Sequence, residues 1–209
     1  MYIPTAFREG NKETLLGFMR ANSFAIVVSV IDGVPFATHI PVSIEERGDA
    51  VVLTGHVAKA NPHARAFAPE SDTQSLIIFS GPHAYVSPTA YEARESVPTW
   101  NYIAVHAVGV MRGVRFAESP ESVNAMLDEM IKQYDAEYLA QWQSLPDKYR
   151  SGMMHGVVGF EMPVAQLDGK FKLSQNRSAH DQATVMAMLA ESDDAAAKAV
   201  GEAMRLRPA

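Results

Sequence analysis

Cysteine is absent from the 209-residue chain, which excludes disulfides, thiol catalysis, iron–sulfur clusters and cysteine-type zinc sites together. No cluster of basic residues offsets the net charge of −6, so the electrostatic footprint of a protein that grips DNA through its phosphates is missing. No apolar run approaches the roughly 20 residues of a membrane-spanning helix. The start, Met1 to Arg8, has neither the basic residues nor the apolar centre of a secretory signal, and the expected location is the cytoplasm. Nucleotide signatures are lacking too. The stretch Gly152 to Gly159 contains glycines without the G-x-G-x-x-G spacing, and neither G-x-x-x-x-G-K-[ST] nor H-E-x-x-H occurs. Seven histidines, at 39, 56, 63, 83, 106, 155 and 180, include no pair at helical i, i+4 spacing, so the sequence shows no metal site.

What is present suits one domain, or one domain with an appendage. Hydrophobic residues make up 47% and charged residues 20%, and a globule of this size buries roughly 70% of its unfolded surface. Leu15, Leu16, Phe18 and Met19 predict a short amphipathic helix over 11–21. A β-branched run from Ser23 to Ile31 ends at Asp32-Gly33, a type I′ hairpin signal, and the partner strand is expected over Val34 to Glu45. Arg47-Gly48-Asp49 turns the chain into a third strand, Ala50 to His56. Beyond a short helix at 62–68, strands are expected at Gln74 to Ser80 and His83 to Ser87, separated by a break at Gly81-Pro82, and at Tyr102 to Phe116. Ser119-Pro120 opens a helix striped by Val123, Met126, Leu127, Met130 and Ile131. Helical turns broken at Pro146 follow to Gly152. A strand over Val157 to Gln166, a turn at Asp168-Gly169 and a strand over Lys170 to Ser174 predict a last hairpin. Ala179 to Arg205 reads as a helical tail broken near Ser192-Asp193-Asp194. Hairpin order without βαβ alternation predicts a mainly β α+β fold, an antiparallel barrel with peripheral helices. The expected organisation is a domain over 1–177, with a helical insertion at about 119–152, followed by a helical appendage over 178–209.

The stretch Gly55 to Pro62, G-H-V-A-K-A-N-P, reads as an anion cradle. Asn61 is a good N-cap and Pro62 fits a first helical position, so unpaired backbone amides are expected to face outward there, beside the Lys59 ammonium. On a regular strand Phe36, Thr38 and Ile40 share one face and Ala37, His39 and Pro41 the other, and a lone strand histidine such as His39 or His106 is more often structural than a ligand. Trp100-Asn101-Tyr102 sets aromatic faces beside an amide, which suits core packing as well as ligand stacking. Gln175-Asn176-Arg177 supplies amide donors, acceptors and a planar cation, the groups that a heteroaromatic ring with imide edges, or a phosphate, would engage.

Five segments in this order, Y-I-P at 2–4, T-H-I-P at 38–41, G-H-V-A-K-A-N-P at 55–62, V-P-T-W-N-Y at 97–102 and K-L-S-Q-N-R at 172–177, resemble the PaiB-type FMN-binding negative transcriptional regulators. The resemblance spans residues 1 to about 190. It implies a split β-barrel related to pyridoxamine 5′-phosphate oxidases, with FMN held at the interface of a homodimer. It also implies that Lys59 and the Asn61 helix start meet the FMN phosphate with the cofactor-binding residues Thr38 and His39 on the adjoining strand, that Trp100 and Asn101 approach the ring, and that Gln175, Asn176 and Arg177 close the pocket. Members carry a tryptophan after Ser-Pro where this chain has Ser87-Pro88-Thr89-Ala90-Tyr91, which leaves one wall of the pocket open. Three functions compete. The first is an FMN-dependent oxidoreductase-like protein, in which the flavin transfers electrons and no residue is required as a general base. The second is a transcriptional repressor acting indirectly or through DNA, with direct DNA contact disfavoured by the acidic charge. The third is a haem protein with a histidine such as His39 or His106 on the iron.

Overall fold

The computed structural model describes residues 1–67, 71–115 and 117–207. Its elements are β1 (Arg8–Glu9), α1 (Lys12–Ala21), β2 (Phe24–Ile31), β3 (Val34–Pro41), β4 (Ser43–Arg47), β5 (Ala50–Ala58), β6 (Gln74–Val86), β7 (Thr99–Val110), β8 (Arg112–Val114), α2 (Pro120–Asp135), α3 (Tyr138–Ser144), α4 (Asp147–His155), β9 (Val157–Lys172), α5 (Ala179–Ala190) and α6 (Ala195–Leu206), with a 3-10 helix at Pro62–Phe67. All registered strand pairs are antiparallel, and the strand order is β3-β2-β6-β7-β9-β5-β4, with β1 and β8 also on β9. The mainly β, helix-decorated class expected from the sequence is what forms. Phe116 and Ala68, the expected ends of one strand and one helix, lie outside the described residues.

The chain divides into two compact units that interleave in sequence. The first comprises Met1–Phe18, Phe79–His106 and Asp168–Ala209, and the second Met19–Ile78 and Ala107–Leu167. In the first unit Val86, Ile103 and Leu173 are buried with Val185, Leu189, Val200 and Met204 of α5 and α6. The helical tail thus shares one core with the strands. Burying that many aliphatic side chains at about 1.5–3 kcal/mol each makes α5 and α6 integral to this unit. In the second unit Val27, Leu53, Ile77, Phe67, Phe160 and Met162 are buried, with the Phe67 and Phe160 rings 5.1 Å apart.

Three local expectations change. Gly81-Pro82 does not break the strand, since β6 runs unbroken from Gln74 to Val86. Its glycine is a point of close approach, where a Cβ would stand 2.6 Å from the Phe18 ring. Asp168-Gly169 makes no hairpin either. β9 continues through both residues and through Pro163 to Lys172, with Gly169 paired to Glu9 of β1. A Cβ at Gly169 would lie 2.2 Å from Leu15 Cδ2, so glycine is needed there for space rather than for a turn. The expected Val34 to Glu45 strand divides at the fully buried Val42 into β3 and β4. The Asp32-Gly33 hairpin forms as expected, with φ of 53° and 80°.

Candidate functional site

In the second unit, β3 alternates as its sequence predicts, with Thr38 half-buried and His39 exposed. β5 ends at Ala58, and the next residues form a turn closed by the Asn61 N–H donating to the Ala58 carbonyl at 2.8 Å. Lys59 occupies the corner of this turn, exposed, while its own N–H donates to the Gly156 carbonyl at 2.8 Å. Asn61 caps the 62–67 helix as expected: its Oδ1 accepts from the His63 N–H at 2.9 Å, and its carbonyl accepts from the Ala64 N–H at 3.0 Å.

These bonds correct the cradle. The outward-facing backbone amides expected after Asn61 are consumed by Asn61 itself, Pro62 has none to offer, and the helix is a six-residue 3-10 segment. An anion here would meet side chains instead. Those side chains are Lys59, Thr38 and Asn61, whose Nδ2 donates to Thr38 Oγ1 at 3.4 Å.

Behind Thr38 stands a histidine that the sequence reading left unassigned. His63 is completely buried, its ring edge-on to Phe36 at 5.5 Å and stacked on Phe67 at 5.8 Å. Its Nδ1 lies 2.9 Å from Thr38 Oγ1 and its Nε2 lies 2.8 Å from Ser29 Oγ, which is 2.6 Å from Ser75 Oγ. Burial holds the imidazole below its ordinary value of 6.5, so the ring is neutral near pH 7. The signal that could have found it is local, since His63 is the third residue of the N-P-H-A run in which only Asn61 and Pro62 attracted notice.

The first unit carries the remaining predicted residues. Trp100 is 53% exposed, edge-on to Tyr85 at 6.0 Å and 5.9 Å from the His83 ring. Asn101 faces the other way. It is wholly buried, donating from Nδ2 to Ser174 Oγ at 2.8 Å, and its Oδ1 has no partner among the described residues. Gln175 spends both ends on the exit of β9, accepting from the Leu173 N–H at 2.7 Å and donating to the Phe171 carbonyl. Asn176 is exposed, and the Arg177 guanidinium lies 3.9 Å above the Tyr91 ring.

Beside them are two lysines of β9 that no sequence motif singles out. Lys170 and Lys172 share one face of β9 because side chains two apart point the same way. The Lys170 ammonium sits over the Tyr2 and Tyr102 rings at 5.6 and 5.2 Å. Lys172 donates to Thr99 Oγ1 and, at 2.6 Å, to the Trp100 carbonyl. Burial first, then the neighbouring charges of Lys170 and Arg177, lower the pKa of Lys172. Three cations gathered on aromatic faces make this region attractive to an electron-rich or anionic ligand.

The model of the family described as "Putative FMN-binding domain" matches residues 1–166. The Protease synthase and sporulation protein PAI 2 of Bacillus subtilis is 38% identical over 204 residues, covering 98% of this chain and 96% of that protein. An uncharacterised protein of Emericella nidulans is 27% identical over 244 residues, 99% of this chain and 97% of its own. Among solved structures, the FAD and haem binding protein from Mycobacterium smegmatis superposes with a TM-score of 0.59 at 16% identity, over 84% of this chain and 78% of that one. The flavocytochrome Anf3 from Azotobacter vinelandii gives 0.58 at 16% identity, over 85% and 75%. At such identities the likeness is one of fold. A family match over most of the chain and a relative 38% identical along nearly all of it show that the chain belongs to the PaiB-type family of FMN-binding split-barrel proteins.

Proposed function

We propose that the FMN phosphate is received by Lys59, Thr38 and Asn61 of the second unit. In this reading the isoalloxazine ring is received by the exposed Trp100 face of the first unit, with Arg177 and Lys172 nearby. The two ends would come from different subunits of a homodimer. The observation that carries the placement is the paired half-buried Thr38 hydroxyl and Asn61 amide, the latter's orientation fixed by its bond to the His63 N–H, with the exposed Lys59 two residues before Asn61. That chemistry fits a phosphate, which takes charge-assisted and neutral hydrogen bonds at once. His39, exposed on the opposite face of β3 with its ring 6.4 Å from that of Phe24, is left out of the phosphate contacts, and Asn101 and Gln175 act by shaping the chain rather than by touching the ligand.

Bound FMN supplies one- and two-electron transfer. The chain's own residues bind and orient it. Lys59 neutralises phosphate charge, Lys172 fixes the Trp100 backbone through its carbonyl, and Arg177 brings a cation with a flat face to the ring end. The name of the Bacillus relative supports a regulatory role, with redox or ligand state read out through the flavin. Among the described residues no helix is long and apolar enough to cross a membrane.

An absorbance spectrum of the purified protein tests the cofactor. Flavin bands are expected, and a Soret band without them would favour haem. Light scattering tests the dimer, and a monomer that binds FMN fully would overturn the shared site.

A further inference from the structure

Ser75, Ser29, His63, Thr38 and Asn61 form one hydrogen-bonded chain within the second unit, leading from buried β6 and β2 to half-buried β3. Three of its members are almost inaccessible: Ser75, Ser29 and His63. A neutral imidazole has one proton, and its location sets the direction of every bond in such a chain. With the proton on Nε2, His63 donates inward to Ser29, and Thr38 gives its only hydroxyl hydrogen to Nδ1. Thr38 then shows an outside ligand nothing but a lone pair. With the proton on Nδ1, His63 donates to Thr38, Ser29 donates to Nε2 and Ser75 donates to Ser29. The Thr38 oxygen now accepts from both His63 and Asn61, and its hydrogen is released to donate outward.

One observation favours the second arrangement. Ser29 and Ser75 have no other side-chain hydrogen-bond partner among the described residues, so with the proton on Nε2 one of their two hydroxyl hydrogens has no acceptor, whereas with the proton on Nδ1 Ser75 donates to Ser29 and Ser29 donates to Nε2. The bond from Asn61 to Thr38 fits either arrangement.

We propose that His63 is a positioning residue for the FMN phosphate: by donating from Nδ1 it turns the Thr38 hydroxyl into an outward donor, and a phosphate bound there locks the Nδ1–H tautomer in return. This rests on the placement of the phosphate at Thr38 and Lys59. The coupling is reciprocal, since whatever a phosphate gains from one tautomer it returns as a bias toward that tautomer.

The test compares FMN with riboflavin, which lacks the phosphate, by fluorescence titration of the full chain. His63→Phe is expected to weaken FMN by about tenfold, near the net worth of one hydrogen bond to a charged group, and to leave riboflavin unchanged. His63→Asn, whose side-chain amide can donate in place of Nδ1, should recover most of that loss. Imidazole ¹⁵N spectra of the wild-type chain should show Nδ1 protonated with FMN or inorganic phosphate added. A protonated Nε2 in the FMN-bound protein overturns the proposal, as does an unchanged FMN-to-riboflavin ratio in His63→Phe where Thr38→Val lowers it. If neither Thr38→Val nor Lys59→Ala changes the ratio, the phosphate placement itself is wrong and the inference falls with it. Should His63→Phe fail to fold, the wild-type spectra decide.

Discussion

The β3 region of the second unit and the β9 exit of the first solve the same problem with opposite materials. Behind Thr38 the polar groups Ser75, Ser29 and His63 are neutral, buried and joined in series, and the charge nearby in sequence is the exposed Lys59, two residues before Asn61. Around Arg177 the polar groups are cations, each set against an aromatic face or a carbonyl. The first arrangement gains direction from desolvation, because every hydrogen in a dry chain must have an acceptor. The second gains attraction without fixed direction. A chain of neutral groups should therefore fail all at once when one member is removed, while a cationic face should weaken by degrees and respond to salt.

The largest effect expected from this contrast is in acid. Burial is the leading cause that holds His56, His63 and His106 below 6.5. The unfolded chain then takes up protons before the folded one. Stability from this source is complete above 6.5 and is lost as pH falls below it, by at most about 1.4 kcal/mol per pH unit for each histidine. Thermal melts over a pH series check this, and His63→Asn should flatten part of the slope.

Next in size is His63→Leu in the absence of flavin. It removes two hydrogen bonds and leaves Ser29 and Thr38 with one partner each, Ser75 and Asn61, at a net cost of about 0.5–1.5 kcal/mol per bond lost, measured by urea unfolding. A value near zero would mean that the serines re-pair and the chain is not in series. Lys59→Ala should weaken FMN, but not riboflavin, by about 1.5–3 kcal/mol. The smallest effect belongs to the other region. Arg177→Ala should weaken FMN by about 0.5–1 kcal/mol, the range of an exposed cation–π contact, and the difference from wild type should shrink as salt is added. A loss there as large and as salt-insensitive as that of His63 would erase the distinction between the regions.

The placement of strands and helices was legible wherever local chemistry and tertiary demand agree. The Asp32-Gly33 turn, the alternation of β3 and the stripe of α2 are set by neighbours in sequence, and all three form. Gly81-Pro82 and Asp168-Gly169 misled because glycine serves two ends. It permits turns, and it makes room for a neighbour's ring or methyl, and only the positions of Phe18 and Leu15 reveal which is needed.

The same division runs through the site. Lys59 and Asn61 could be picked out from motif and capping chemistry, since both lie in the turn after β5, and Thr38 from the T-H-I-P motif alone. Lys170 and Lys172 could have been found by the period of two. Their pairing with Tyr2, Tyr102 and Trp100 could not, because those partners are distant in sequence. By itself the sequence determined the family, the mainly β antiparallel class and the Asn61 cap of the 62–67 helix. The tertiary structure decided that the helix-start amides are already spent and that His63, Ser29 and Ser75 stand in line behind Thr38. Hydrogen-bond direction in a dry interior depends on which groups from remote strands are brought within 3 Å, and no local pattern encodes that.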